Sequence, residues 1–233
     1  MMRKGLISFL IGLGLSALFV FSSCAPKETP DCGFVQNVYG QRISWKNSTP
    51  IEFIITAGVP QELRSAVYRA AATWQKNLGR KVFEISEESL QDSLVSSKAG
   101  RDRKNAIYFL RNWESDKKSE QGRTSVYWAG DEIQEADIKV NAQDFAYYNE
   151  DIQQVVPARL ANNSTNAPSG SQIDSKKATA FSFEALVLHE MGHFLGLKHK
   201  DDGHSVMGTY LAAFTNRTEL SADDKGNVQC EYR

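Results

Sequence analysis

Residues 189–199, HEMGHFLGLKH, hold three of the four histidines in this 233-residue chain. His189 and His193 are four apart, so on an α-helix both imidazoles stand on one face, about 6 Å apart along the axis. Two neutral imidazoles at that spacing can bind one zinc ion at about 2.0–2.1 Å each, and a third protein ligand must come from elsewhere. His199 cannot supply it from a continuing helix, where it would point about 120° away and lie about 9 Å further on. The chain therefore has to turn between the two, and Gly196 sits where the turn is needed. Glycine takes the left-handed conformation that ends helices without a Cβ penalty. Any fold for this chain must thus set a helix end and a reversal beside a metal. Glu190, on the helix flank next to His189, is the candidate general base and acid. Zinc brings the pKa of a water ligand to about 7, and a carboxylate in reach can take its proton and pass it to the leaving amine of an amide. His204 has no such geometry and reads as a surface-loop histidine.

The flanking sequence supplies the rest of the frame. Ser182 predicts the N-cap of the histidine helix over 183–195. Leu63, Val67, Ala70, Trp74 and Leu78 form the apolar stripe of an amphipathic helix over 60–79, with Pro60 suited to its first turn and Gly79 to its end. Trp74 reads as core. Strands are expected at 51–56, 82–86, 106–111, 124–129 and 136–141, joined by charged, solvated loops. Residues 142–180 contain ANNSTNAPSGSQIDSKK and read as a long surface loop. Ser221 with Asp224 three positions on predicts a last helix with a capping-box start.

At the N-terminus, a basic start (Arg3, Lys4) and an uncharged run from Gly5 to Phe21 precede Ser22-Ser23-Cys24, the layout of an export signal. The run is also near the minimum length of a membrane-spanning anchor. FSSC resembles the lipobox of bacterial lipoproteins, which implies a signal peptide at 1–23, lipidation of Cys24, and a tether at 24–32 before a single domain at 33–233. The expected location is the bacterial cell envelope, with a lipid anchor at the outer membrane or facing the periplasm, or else plain secretion. Cys32 and Cys230 remain to pair in an oxidising compartment, closing a loop of about 200 residues worth roughly 4–5 kcal/mol in the chain-entropy model. A net charge of −1, with no basic cluster interleaved with aromatics, excludes nucleic acid as the expected partner. The chain is expected to act as a monomer.

HEMGHFLGLKH matches the pattern HExxHxxGxxH and so resembles the metzincin zinc endopeptidases. SVMGT places Met207 eight residues after His199, an interval similar to the Met-turn spacing of the matrixin branch. LSADDKGNVQ resembles the matrixin C-terminal helix, and ISWKNSTPIEFIIT followed by a helix ending AAATWQ resembles its first strand and helix. The resemblance implies an α+β, zincin/metzincin-like fold: a twisted five-stranded mixed sheet, a long first helix, an active-site helix and a C-terminal helix. It further implies one antiparallel edge strand, by order 124–129, along which a protein or peptide substrate lies extended. Tyr127, Trp128 and, after the Met-turn, Tyr210 are the candidate substrate contacts.

Several positions depart from the matrixin pattern. Gly208-Thr209-Tyr210 stands where Tyr-Pro commonly follows the methionine. The three upstream histidines that hold the family's second, structural zinc are missing, so one catalytic Zn2+ is expected. Ca2+ is left open, with Asp131, Glu132 and Asp137 as possible oxygen ligands or simple surface acids. PDCG at 30–33 resembles the segment whose cysteine silences matrixin zymogens, so Cys32 is either such a switch or the partner of Cys230. Only eight positions separate it from Cys24, which favours the disulfide. The expected function is a zinc metalloendopeptidase acting on extracytoplasmic proteins or peptides. The alternative is a zinc-binding but non-catalytic, or latent, lipoprotein serving as a peptide-binding module; the presence of Glu190 weighs against the non-catalytic form.

Overall fold

A computed structural model describes residues 30–89, 99–151, 154–156 and 179–232. The signal segment, Cys24 and residues 157–178 of the expected surface loop lie outside the described residues.

A five-stranded sheet carries the fold. β1 (Ile51–Ile55) is followed by α1 (Gln61–Leu78) and then by β2 (Phe83–Glu87), β3 (Ala106–Leu110), β4 (Gly122–Ala129) and β5 (Glu132–Asn141). The strand order is β2-β1-β3-β5-β4; only β4 runs antiparallel, paired to β5 from Gly122 opposite Val140 to Ala129 opposite Glu132. Burial follows this order. On β3, inside the sheet, Ala106 to Phe109 are all buried, whereas β4 is half-buried to exposed throughout, as an edge strand must be. β5 begins four residues earlier than its alternation suggests. Its first residues mix charged groups with Ile133, but Glu135 is buried and takes backbone N–H bonds from Asp102 and Arg103.

Against this sheet lies α1, whose buried face is Leu63, Ala66, Val67, Ala70, Ala71 and Trp74. The helix stops at Gly79, which takes φ 63°, the left-handed end that its residue type allows. Trp74 is fully buried, and its indole N–H donates to Leu188 O at 3.0 Å, which fixes α1 to the histidine helix.

The stretch read as a surface loop, 142–180, differs from that expectation in its described parts. β6 (Ala146–Asn149) pairs antiparallel with β7 (Gln154–Val156) and parallel with β8 (Ala180–Ser182), making a second, three-stranded sheet. These strands are only three or four residues long, too short for an alternation to show. Their anchors are side chains whose partners are remote in sequence. Tyr147 is buried and donates its hydroxyl to Gln121 O, and Asn149 donates to Glu62 O and Ser65 Oγ on α1. β8 runs straight into α2 (Phe183–Phe194), and α3 (Ala222–Gln229) closes the chain.

The N-terminal segment straps the molecule. Cys32 is bonded to Cys230, with Cα atoms 6.4 Å apart, so Cys32 here is a disulfide partner and no metal ligand. Residues 30–32, assigned to the tether from sequence, are held to the body. Arg42 donates to Pro30 O, and Asp31 pairs with Lys198.

Candidate metal centre and active site

Ser182 starts α2 as expected: its hydroxyl accepts from Ala185 N at 3.1 Å. Eleven of the twelve helix residues are buried, including His189 and Glu190. The helix ends at Leu195, and Gly196 then adopts φ 103°, while Leu197 N returns to Gly192 O at 2.9 Å. A Cβ on Gly196 would stand 2.2 Å from Ile43 O, so both its conformation and its neighbour require glycine. This reversal brings His199 back to the helix.

The three imidazoles converge. His193 Nε2 lies 3.1 Å from His189 Nε2 and 3.0 Å from His199 Nε2. On the far side of the first two rings, His189 Nδ1 is 2.8 Å from Val206 O and His193 Nδ1 is 2.8 Å from Leu197 O. A carbonyl oxygen can only accept, so each Nδ1 carries the ring proton and each Nε2 presents a lone pair. The His189–His193 contact therefore sets two lone pairs face to face, a repulsion that a cation between them turns into coordination. Tetrahedral zinc with nitrogen at about 2.0–2.1 Å needs nitrogens about 3.3 Å apart, close to what is found. Burial, reinforced at His189 by the neighbouring His193 ring, pushes His189 down to about 3; burial again takes His193 down to about 4. Both are neutral ligands at pH 7. Among the described residues this trio is the group whose ligand atoms gather closely enough for a metal.

Met207 is 2% exposed beneath the helix. A Cβ on Gly192 would come within 2.2 Å of its sulfur, so the helix and the turn around Met207 meet only because residue 192 has no side chain.

A family model described as matrixin matches residues 44–233. The chain belongs to the matrixin family. Metalloendoproteinase 1 of Glycine max is 33% identical over 64 residues, which are 28% of this chain and 21% of the soybean protein.

In this matrixin, Glu190 is 3% exposed and lies against the edge strand. Thr124 of β4 donates its hydroxyl to Glu190 Oε2 at 2.6 Å, and Gly122 leaves room for Oε1. Burial pushes the Glu190 carboxyl up to about 7, opposed by the Thr124 hydrogen bond.

The turn carrying Met207 is tied to α3. Asp224, the capping-box acid, is 1% exposed. It accepts from Ser205 Oγ and Val206 N as well as from Ser221 N, while Ser205 Oγ accepts from Met207 N. Val206 O is the acceptor for His189, so Asp224 orients a metal ligand through one residue of backbone. The local Ser221–Asp224 spacing reveals the cap; the contact with Val206 leaves no pattern in the sequence. The contact of Thr124 with Glu190, across 66 positions, leaves none either.

Other sequence candidates fall less centrally. Trp128 and Tyr210 are 48% and 76% exposed, and Tyr127 is half-buried under the Arg101 guanidinium, 4.8 Å from the ring centroid. Arg217 braces the chain after Met207 by donating to Gly208 O and Tyr210 O. His204 is exposed, outside the trio. The three acids considered for calcium do not share a site. Asp131 pairs with Lys46, Glu132 accepts from Ser48, and Asp137 lies five residues further along β5, about 17 Å away in an extended strand. Nor is Asp137 a surface acid: it is fully buried, and its Oδ1 has no hydrogen-bond partner among the described residues. Burial first, then Glu135 and Asp102, push it up to about 7, against N–H bonds from Gly100 and Ala106.

Proposed function

We propose that this matrixin is a zinc-dependent endopeptidase that cuts extended peptide segments of proteins outside the cytoplasm. The observation that carries the reading is the convergence of the His189, His193 and His199 Nε2 atoms on one point, with the Glu190 carboxylate buried on the same helix. Zinc held by those nitrogens would acidify a water molecule and polarise the scissile carbonyl. The chain's own groups do the rest. Val206 O and Leu197 O fix the ring orientations and keep the lone pairs inward. Glu190 takes a proton from the attacking water and delivers it to the leaving amine nitrogen, so the amide bond breaks with no net proton change. The outer edge of β4, at the end of the sheet order and unpaired among the described residues, offers backbone groups to an extended peptide.

Attachment to the cell envelope through a lipid on Cys24 belongs to the same reading. It is supported by the apolar run before FSSC and by the Cys32–Cys230 disulfide, which suits an oxidising compartment. Incorporation of labelled palmitate into the full chain, lost in Cys24→Ala, tests the anchor. For the chemistry, the chain without residues 1–24 is incubated with a mixed peptide library and products are mapped by mass spectrometry. Internal cleavage that a chelator stops and zinc restores is expected. A zinc-loaded protein that cleaves no peptide in the library refutes the proposal.

A further inference from the structure

The carboxylate of Glu190 is gripped by the edge strand rather than by its own helix. Thr124 Oγ1 lies 2.6 Å from Glu190 Oε2, the length of a charge-assisted O–H···O⁻ bond, and 3.0 Å from Glu190 O. A hydroxyl has one proton, and the shorter contact to the charged acceptor takes it. The other carboxylate oxygen faces Gly122, where a Cβ would come within 2.8 Å of Oε1 and 3.3 Å of Leu186 Cδ1. The carboxylate thus sits between two β4 residues two positions apart, one gripping it and one making way for it. Thr124 is itself fixed, paired opposite Ile138 in the β4–β5 ladder.

We infer that Thr124 is a positioning residue for the general base: its hydroxyl sets the orientation of the Glu190 carboxylate relative to the strand along which substrate lies. This rests on the proposed endopeptidase reading. The strand offered to the peptide backbone also holds the proton carrier, so the scissile bond and the base share one rigid frame. A helical glutamate side chain has three rotatable bonds, and free rotation would spread its oxygens over several ångströms. Tying one oxygen to β4 removes that freedom before substrate arrives.

Thr124→Val keeps the branched shape and removes the donor, while Thr124→Ser keeps the donor. The first arm is independent of activity: crystal structures of the metal-free wild type and both variants. The Glu190 carboxylate is expected to leave β4 by about 1 Å or more in Thr124→Val, because a methyl cannot sit at hydrogen-bond distance from an oxygen. It is expected to stay in place in Thr124→Ser. The second arm measures steady-state cleavage at matched zinc content. A fall of about 10–100-fold in kcat with little change in KM is expected for Thr124→Val, the scale for losing a partner that orients an active-site group. Thr124→Ser should recover to within a few fold. Melting temperature and zinc stoichiometry should match the wild type in both variants. An unmoved carboxylate in Thr124→Val, equal losses in both variants, or a loss confined to KM or to zinc content each overturn the inference. A carboxylate that moves as expected in a protein with no wild-type cleavage leaves the positioning contact standing and removes the endopeptidase reading instead.

Discussion

Gly196→Ala should be among the most damaging one-methyl changes available to this protein, and its cost can be built from the structure. At φ 103°, an L-residue pays about 1–2 kcal/mol for the left-handed region. Its Cβ would also stand 2.2 Å from Ile43 O and 3.1 Å from Phe34 Cδ1, against an ordinary contact of about 3.5 Å. Ile43 cannot retreat freely. Its N–H is bonded to Val35 O at 2.8 Å, and Val35 N in turn donates to Gly196 O at 2.9 Å. Forcing a methyl into such packing costs about 1–3 kcal/mol. The sum is about 2–5 kcal/mol, a large share of a typical 5–15 kcal/mol. For a domain of this size it lowers Tm by roughly 4–20 °C. Because His199 follows three residues later, zinc affinity should fall with it. Gly79→Ala is the control. Gly79 also has positive φ, 63°, but no atom of the described residues lies within 4 Å of its Cβ position, so only about 1–2 kcal/mol should be lost and zinc binding should be untouched. Thermal or urea unfolding of both variants, with zinc titration, gives the difference. Equal destabilisation of the two, or a Gly196→Ala protein that binds zinc as the wild type does, would refute the reasoning that the third ligand is placed by a close backbone crossing.

Asp224→Ala should destabilise by about 2–4 kcal/mol, because the buried bonds that Ser205, Val206 and Ser221 donate to the carboxylate lose their acceptor. Zinc affinity should fall roughly 10-fold through the His189–Val206 contact, read by competition with a chromophoric chelator; unchanged affinity would detach Asp224 from the site. Asp137→Asn should stabilise the protein at pH 8 and have little effect near pH 4. A carboxyl raised from 3.8 to about 7 favours the folded state while protonated in both states. That contribution is lost as pH rises from about 4 through 7. Urea unfolding at the two pH values measures this, and a gain at pH 4 equal to that at pH 8 would contradict it.

What the sequence makes legible here is local geometry. The period of α1, the two histidines four apart, the glycine that must end their helix and the Ser221 cap all depend on residues within one or two turns, and each stands where its spacing puts it. The matrixin resemblance adds the edge strand, which no spacing rule supplies. The remainder depends on contacts between distant segments. Thr124 reaches Glu190 across 66 positions, and Tyr147 is anchored by Gln121. Asp137 looks like any solvated acid until β3 and the loop at 99–105 cover it. Strands as short as β6, β7 and β8 carry too few residues for a period and are stabilised by α1 and α2 rather than by their own composition.

The central claim is that the histidine trio and Glu190 form one hydrolytic device, and it meets its most direct test in a single comparison. Wild type and Glu190→Gln, each loaded to one zinc per chain, are given the same internally quenched peptide. The account predicts equal zinc binding and a melting temperature no lower than the wild type's, with cleavage by Glu190→Gln reduced by at least about 100-fold, since the proton carrier is gone. Undiminished cleavage at matched zinc would contradict it.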